Sequence, residues 1–162
     1  MLEIQTASVE ELLGYAVRSE IDSNKAYKDL AESVSNPLLK QKFQWLAFEE
    51  QKHREILEKL YGSLFPGKEL QIPDQPSQEL LKRIEITPSS SLLDILLQAM
   101  ESEKSAENFY ARMAERMEGT AKKLLEYLSK VERSHYLMLK SEYDAVQDFE
   151  DYAEKDIDKI VT

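Results

Sequence analysis

The sequence predicts an all-α protein, a four-helix bundle of up-down-down-up topology with one long crossover between its second and third helices. Three observations carry this. Four stretches place apolar residues at alternating steps of three and four, the period of one helix face. Glycine and proline are scarce, 4 and 5 among 162 residues, and Pro66, Pro73, Pro76 and Pro88 crowd the middle of the chain. The chain also repeats itself: Glu20 and Tyr27 recur 83 residues on as Glu103 and Tyr110, while Glu50 and His53 recur 82 residues on as Glu132 and His135. Each half then reads as a helix pair.

The first helix is expected over residues 8–35, where Ser8 and Glu11 have capping-box spacing. Its seam is Leu13, Ala16, Glu20, Ser23, Tyr27, Leu30 and Val34, with Glu20 and Ser23 interrupting an apolar stripe. Asn36-Pro37 stops it and opens the second helix, 37–61, with Gly62 past its end. The second seam is Leu39, Phe43, Leu46, Glu50, His53, Leu57 and Leu60. Residues 62–90 form the crossover, with a short helix expected over 78–84. The third helix, 91–118, ends at Gly119 and has the seam Leu92, Leu96, Ala99, Glu103, Ala106, Tyr110, Met113 and Met117. The fourth, 120–146, has the seam Ala121, Leu125, Leu128, Glu132, His135, Leu139, Glu142 and Val146. An acidic tail, 147–162, follows, read as a short helix or frayed.

The levels along the helices agree with this order. Glu20 stands about 15 residues before the Asn36-Pro37 turn and Glu50 about 13 after it, so both legs are ~20 Å and the two meet. Glu103 and Glu132 are related in the same way. A few residues would suffice if the third helix ran antiparallel to the second. The longer crossover can span the roughly 35–40 Å of a helix, so the third helix starts at the far end and runs parallel to the second. All four seams then converge with Glu20, Glu50, His53, Glu103, Glu132 and His135 at mid-height.

Length suits one domain over 1–162, with room for a real core. No 18-residue apolar run predicts a membrane span, and the N-terminal residues lack the apolar centre of a signal peptide, so a cytoplasmic location is expected. Cysteine is absent, which excludes disulfides, thiolate nucleophiles and Cys-held metals from these residues. The formal charge of −10 disfavours nucleic acid and anionic membranes as partners. By itself that charge describes a solvated acidic surface.

The two Glu-x-x-His pairs use both histidines of the chain. Residues three apart share a helix face, so each pair aims a carboxylate and an imidazole the same way. A single buried Glu or His is usually a satisfied core residue. Four carboxylates converging in one core repel one another and lose hydration unless they take protons or bind cations. Two divalent ions supply four positive charges against the four negative ones. Carboxylate and imidazole donors without thiolates suit iron or manganese.

On these motifs, residues 8–146 resemble the diiron domain of the rubrerythrin and ferritin-like superfamily. The resemblance implies a ferritin-like bundle holding two iron ions, with manganese as the alternative. It implies that Glu50 and Glu132 bridge them, that Glu20 and His53 complete one ion, and that Glu103 and His135 complete the other. Tyr27 and Tyr110 resemble the family's tyrosines that hydrogen-bond ligand carboxylates. Two features depart from the family. Full-length rubrerythrins carry a rubredoxin-like domain with four cysteines, so here the electrons are expected from a separate donor such as a rubredoxin-like protein. Rubrerythrins also place an extra glutamate three residues after the third-helix ligand, where this chain has Ala106; Glu107 lies about 100° further round the helix.

The activity implied is reduction of hydrogen peroxide or dioxygen. Ferritin-like ferroxidase and iron handling, dimanganese catalase chemistry, and an interaction module with an idle site are the competing readings. The resemblance implies a homodimer. Trp45 and Phe48 lie off the second seam, and either Leu64, Phe65, Leu70 and Ile72 of the crossover or a partner subunit is expected to cover Trp45.

Overall fold

The structure, a computed structural model, describes residues 2–77 and 79–160, with side chains described through residue 149. Its helices are α1 (Val9–Ser33), α2 (Pro37–Leu64), α3 (Leu92–Ala114) and α4 (Gly119–Ile160), and there is no strand among the described residues. None of these helices is long and apolar enough to cross a membrane.

Three helix starts are capped by side chains, which satisfy N–H groups that have no intrahelical acceptor. Ser8 Oγ accepts from the Glu11 N–H at 3.1 Å. Asn36 Oδ1 accepts from Leu38 and Leu39, with Pro37 in the first turn. Ser91 and Asp94 form a complete capping box.

The ends differ from expectation in four places. α2 runs through Gly62 to Leu64: Tyr61 is buried, Phe65 packs on its ring at 5.0 Å, and the Phe65 N–H donates to the Tyr61 carbonyl. This apolar contact outweighs the ~1 kcal/mol that glycine costs inside a helix. α3 stops at Ala114, and Arg116 and Met117 donate to carbonyls three residues back in a tightened turn. Gly119, at φ +60°, then opens α4 rather than merely closing α3.

Residues 79–80 make a turn in place of the expected helix, with Leu80 and Leu81 both donating to the Ser77 carbonyl; Gln78 lies outside the described residues. A helix here would shorten the chain, whereas Leu81 and Ile84 must reach two different apolar clusters. Extended backbone also lets Lys82 bond Ser102 and Ser105 on α3. The fourth difference is that α4 continues through residues 147–160, a stretch without glycine or proline.

Cross-helix contacts fix the topology. Tyr110 bonds Glu20 while Tyr27 bonds Glu103, so α1 and α3 run antiparallel. His53 meets Glu132, His135 meets Glu50, and Lys42 pairs with Glu142, so α2 and α4 run antiparallel too. With α1–α2 and α3–α4 as hairpins, the order is up, down, down, up.

The core has two apolar clusters, with the ionisable residues between them. One takes Leu13, Ala16 and Val17 of α1, Leu57 and Leu60 of α2, Phe109 and Met113 of α3, and Leu125 and Leu128 of α4. The other takes Leu30, Phe43, Leu46, Leu96, Ala99 and Leu139. Residues 2–8 are tied to the first cluster by Ile4 and Ala7, whose carbonyls accept from Arg116. The crossover presses on α1 at Gly14, where a Cβ would stand 2.3 Å from the Gln71 carbonyl oxygen. Leu64, Phe65, Leu70 and Ile72 pack on the first cluster instead of covering Trp45 as expected, and Trp45 stays exposed.

Candidate metal centre

One helix from each position of the repeat delivers each ionisable side chain to mid-height. Glu20 comes from α1, Glu50 and His53 from α2, Glu103 from α3, and Glu132 and His135 from α4. All six are buried, none more than 3% exposed. Glu20, Glu50, His53 and Glu132 can each offer one atom within 4.8 Å of the others, and so can Glu50, Glu103, Glu132 and His135. Glu50 and Glu132 belong to both groups.

The shared pair has a telling geometry. Glu132 sets Oε1 at 2.9 Å from His53 Nδ1 and Oε2 at 3.2 Å from His135 Nδ1. Glu50 sets Oε2 at 3.8 Å from His53 Nδ1 and Oε1 at 3.3 Å from His135 Nδ1. Each of these carboxylates thus turns one oxygen to each imidazole. Glu20 and Glu103 stand at the outer flanks, 3.8 Å from His53 and 3.6 Å from His135. The two imidazole rings lie nearly parallel, 5.5 Å apart.

Glu50 Oε1, His53 Nδ1 and Glu132 Oε1 are buried without a hydrogen-bond partner. Buried polar atoms are seldom left so, because the lost hydration is not recovered. All three belong to the cluster, and oxygen and imidazole donors are what hard and borderline divalent ions take. The residues present fit a pair of such ions.

Electrostatics say the same of the metal-free cluster. Burial, then the charges of Glu132 and Glu103, pushes Glu50 up to about 8. Burial and the charges of Glu103 and Glu20 push Glu132 up to about 7. Burial and Glu50 also raise Glu20 well above its ordinary value. Glu103 goes the other way: burial pushes it up, but the hydrogen bond and charge of His135 outweigh this and hold it below the usual range. Burial disfavours the imidazolium of both histidines, yet the surrounding carboxylates outweigh burial and raise both. Without ions the cluster holds extra protons, the signature of anionic donors packed closer than their charges allow.

The tyrosines cross the repeat. Tyr27 of the first half donates to Glu103 of the second, and Tyr110 of the second donates to Glu20 of the first. Each phenol holds Oε1 of a flanking carboxylate and leaves Oε2 toward the imidazole. Glu107 lies outside the cluster, held by Lys104 at 3.0 Å and near Arg133 at 3.7 Å. Ala106 packs on the first apolar cluster.

Two residues that helical spacing did not assign reach the histidines. Trp45, read as pointing away from the seam, sets its ring edge-on to His135 at 5.3 Å while 44% exposed. Glu49 groups with His53 and His135 within 4.8 Å. Glu49 lies about 100° from Glu50 around α2, so seam periodicity places it outside the core.

Comparison with known proteins agrees with this construction. The rubrerythrin family model matches residues 11–143. A hypothetical protein from Pyrococcus furiosus has a similar structure, with TM-score 0.79 and 36% sequence identity over 92% of this chain and 98% of that one. A Thermotoga maritima protein described as a candidate ferritin-like diiron-carboxylate protein gives TM-score 0.69 over 85% of this chain and 95% of that one. At 21% identity that second likeness is one of fold. No curated protein matches the chain. With a ferritin-like four-helix bundle, a carboxylate–histidine cluster at its centre and a family match over most of its length, this chain belongs to the rubrerythrin family.

Proposed function

We propose that this chain is a diiron-carboxylate oxidoreductase that reduces hydrogen peroxide or dioxygen with electrons from a separate protein donor. The observation that supports it most is that Glu50 and Glu132 each turn one oxygen to each imidazole, the arrangement of carboxylates that bridge two ions. Glu20 and His53 would complete one ion, and Glu103 and His135 the other. Manganese is the alternative ion for this donor set. When bound, two ferrous ions supply the two electrons that convert hydrogen peroxide, with two protons, into two waters.

The chain's own residues supply position and exclusion. Four helices hold the donors in a layer closed by apolar residues above and below, so bulk water and large substrates are kept out. That burial favours a small oxidant. Tyr27 and Tyr110 restrain the flanking carboxylates, so Glu103 and Glu20 keep their second oxygen on the cluster. An external one-electron donor of rubredoxin-like chemistry is the reductant in this proposal. A cytoplasmic setting and a homodimer complete the proposal.

Anaerobic loading with ferrous iron, then stopped-flow mixing with hydrogen peroxide or dioxygen, tests it. Uptake near two ions per chain and faster oxidation by peroxide are expected. Oxygen consumption with mineral formation would favour ferroxidase and iron handling instead. Peroxide dismutation after manganese loading would favour a dimanganese catalase, and uptake near zero would end the metal reading.

A further inference from the structure

Both imidazoles present Nδ1 to the carboxylates. Their Nε2 atoms therefore lie on the far side of the rings, away from the shared oxygens. His135 is fully buried, and its Nε2 has no hydrogen-bond partner. A further acidic side chain near both rings is Glu49, one helical turn before His53. A carboxylate oxygen of Glu49 comes within 4.8 Å of a ring nitrogen of each histidine. The Glu49 side chain is 14% exposed and is held at 2.5 Å by Lys52. It stands outside the internal repeat: the position 82 residues on is Val131.

We propose that Glu49 is a positioning residue for the two histidines, its carboxylate accepting their Nε2–H groups through one bridging water. This rests on the reading of His53 and His135 as metal ligands. A separation near the 4.8 Å limit accommodates one water between donor and acceptor. An acceptor at Nε2 fixes the tautomer that leaves Nδ1 free for an ion, and it raises the basicity of Nδ1. Lys52, on the solvent side, pairs with Glu49 without being required to aim it. Trp45 packs edge-on against His135.

The test uses the full chain with Co2+ and Zn2+ as probes. Co2+ binding is followed by visible absorption in wild type, Glu49→Ala, Glu49→Gln and Lys52→Met. Histidine nitrogen resonances are recorded on the metal-free and Zn2+-loaded forms of the same proteins. Glu49→Ala should keep two ions per chain and lower Co2+ affinity by about 10–100-fold, the usual effect of losing such an acceptor. Glu49→Gln, which keeps an acceptor oxygen, should recover most of that loss, and Lys52→Met should change little. The Nε2 resonances should shift in Glu49→Ala even without metal.

Unchanged affinity and unchanged Nε2 resonances in Glu49→Ala would overturn the proposal. Equal losses in Lys52→Met would also overturn it, by reducing Glu49 to a surface ion pair. A third ion in wild type that Glu49→Ala loses would make Glu49 a ligand instead. If wild type binds no Co2+, the metal reading fails, and the metal-free Nε2 resonances alone decide the role of Glu49. Should Glu49→Ala not fold, the same resonances in Glu49→Gln decide it, since a weaker acceptor must shift them.

Discussion

The two flanks of the cluster are built from one motif, yet they are not electrically alike. On one, Glu20 and His53 face each other; on the other, Glu103 and His135 do, at nearly the same separation. Each flanking glutamate takes a tyrosine hydrogen bond from the opposite half. Glu20 is pushed well up by burial and by Glu50, whereas His135 holds Glu103 down. The residues behind the motif are not repeated either. Trp45 lies against His135, while its counterpart Tyr127 is 55% exposed. Glu49 has Val131 as its counterpart. A repeated motif therefore fixes which donors are present, and the way its members pack on each flank sets how strongly each one holds a proton.

The largest expected effect separates the shared carboxylates from the flanking ones. Glu50→Ala or Glu132→Ala should lose both ions, because each removes a group that faces both imidazoles. Glu20→Ala or Glu103→Ala should lose one ion and keep the other. Metal analysis of the purified variants decides it: loss of one ion from the Glu50 variant would put that residue on a flank.

Next comes the cost of the cluster to folding. Replacing Glu20, Glu50, Glu103 and Glu132 together by leucine or methionine should abolish metal binding. It should also stabilise the metal-free bundle by on the order of 1–4 kcal/mol, as when buried ionic groups give way to apolar ones. Denaturant unfolding of the metal-free proteins measures this, and a less stable variant would contradict the crowding described above.

The pH dependence has a definite sign. Glu50 and Glu132 rise from the ordinary 4.5 to about 8 and about 7 in the folded protein. A carboxyl with a raised folded pKa favours folding in its protonated form, and that contribution is lost as pH rises through the folded pKa. The raised histidines act in the same direction, and Glu103 in the opposite one. Metal-free protein should therefore lose stability as pH rises from about 4.5 to about 8. Loaded protein should do the reverse over the acidic part of that window, since protons compete for the donors. Parallel melting curves for the two forms would break this contrast.

Smaller effects sharpen the difference between flanks. Tyr27→Phe and Tyr110→Phe should each cost about 1–3 kcal/mol by removing a donor from a buried carboxylate. The loss should be greater for Tyr27, whose partner Glu103 is the one held ionised. Smallest of all, Tyr127→Ala should stay within about 0.5 kcal/mol of wild type, as exposed substitutions do. Trp45→Ala should cost more. Trp45 is the single tryptophan, so its fluorescence should respond to metal loading through His135.

The four helices and the meeting of six ionisable side chains were legible in the sequence. Seam residues repeat at helical spacing, and the four glutamates and two histidines standing among them follow the apolar residues into the core. The levels followed from counting residues to a turn, because rise per residue hardly varies. The chain ends and flanks were less legible. Gly62 and Gly119 are local signals, but the end of α2 depended on Phe65 packing against Tyr61, and Gly119 served the start of α4. The turn at residues 79–80 replaced a helix because Leu81 and Ile84 are drawn to separate clusters.

Helical periodicity determined by itself which side chains share a face, since that depends only on local geometry. Only the tertiary structure decided which tyrosine serves which glutamate, because the pairing spans α1 and α3, which the chain joins through a whole hairpin and the crossover. It also decided that Trp45 and Glu49 reach the histidines from outside the seam. A long side chain on the edge of one helix touches a neighbouring helix only when the two axes are brought together, and no spacing within the chain encodes that distance.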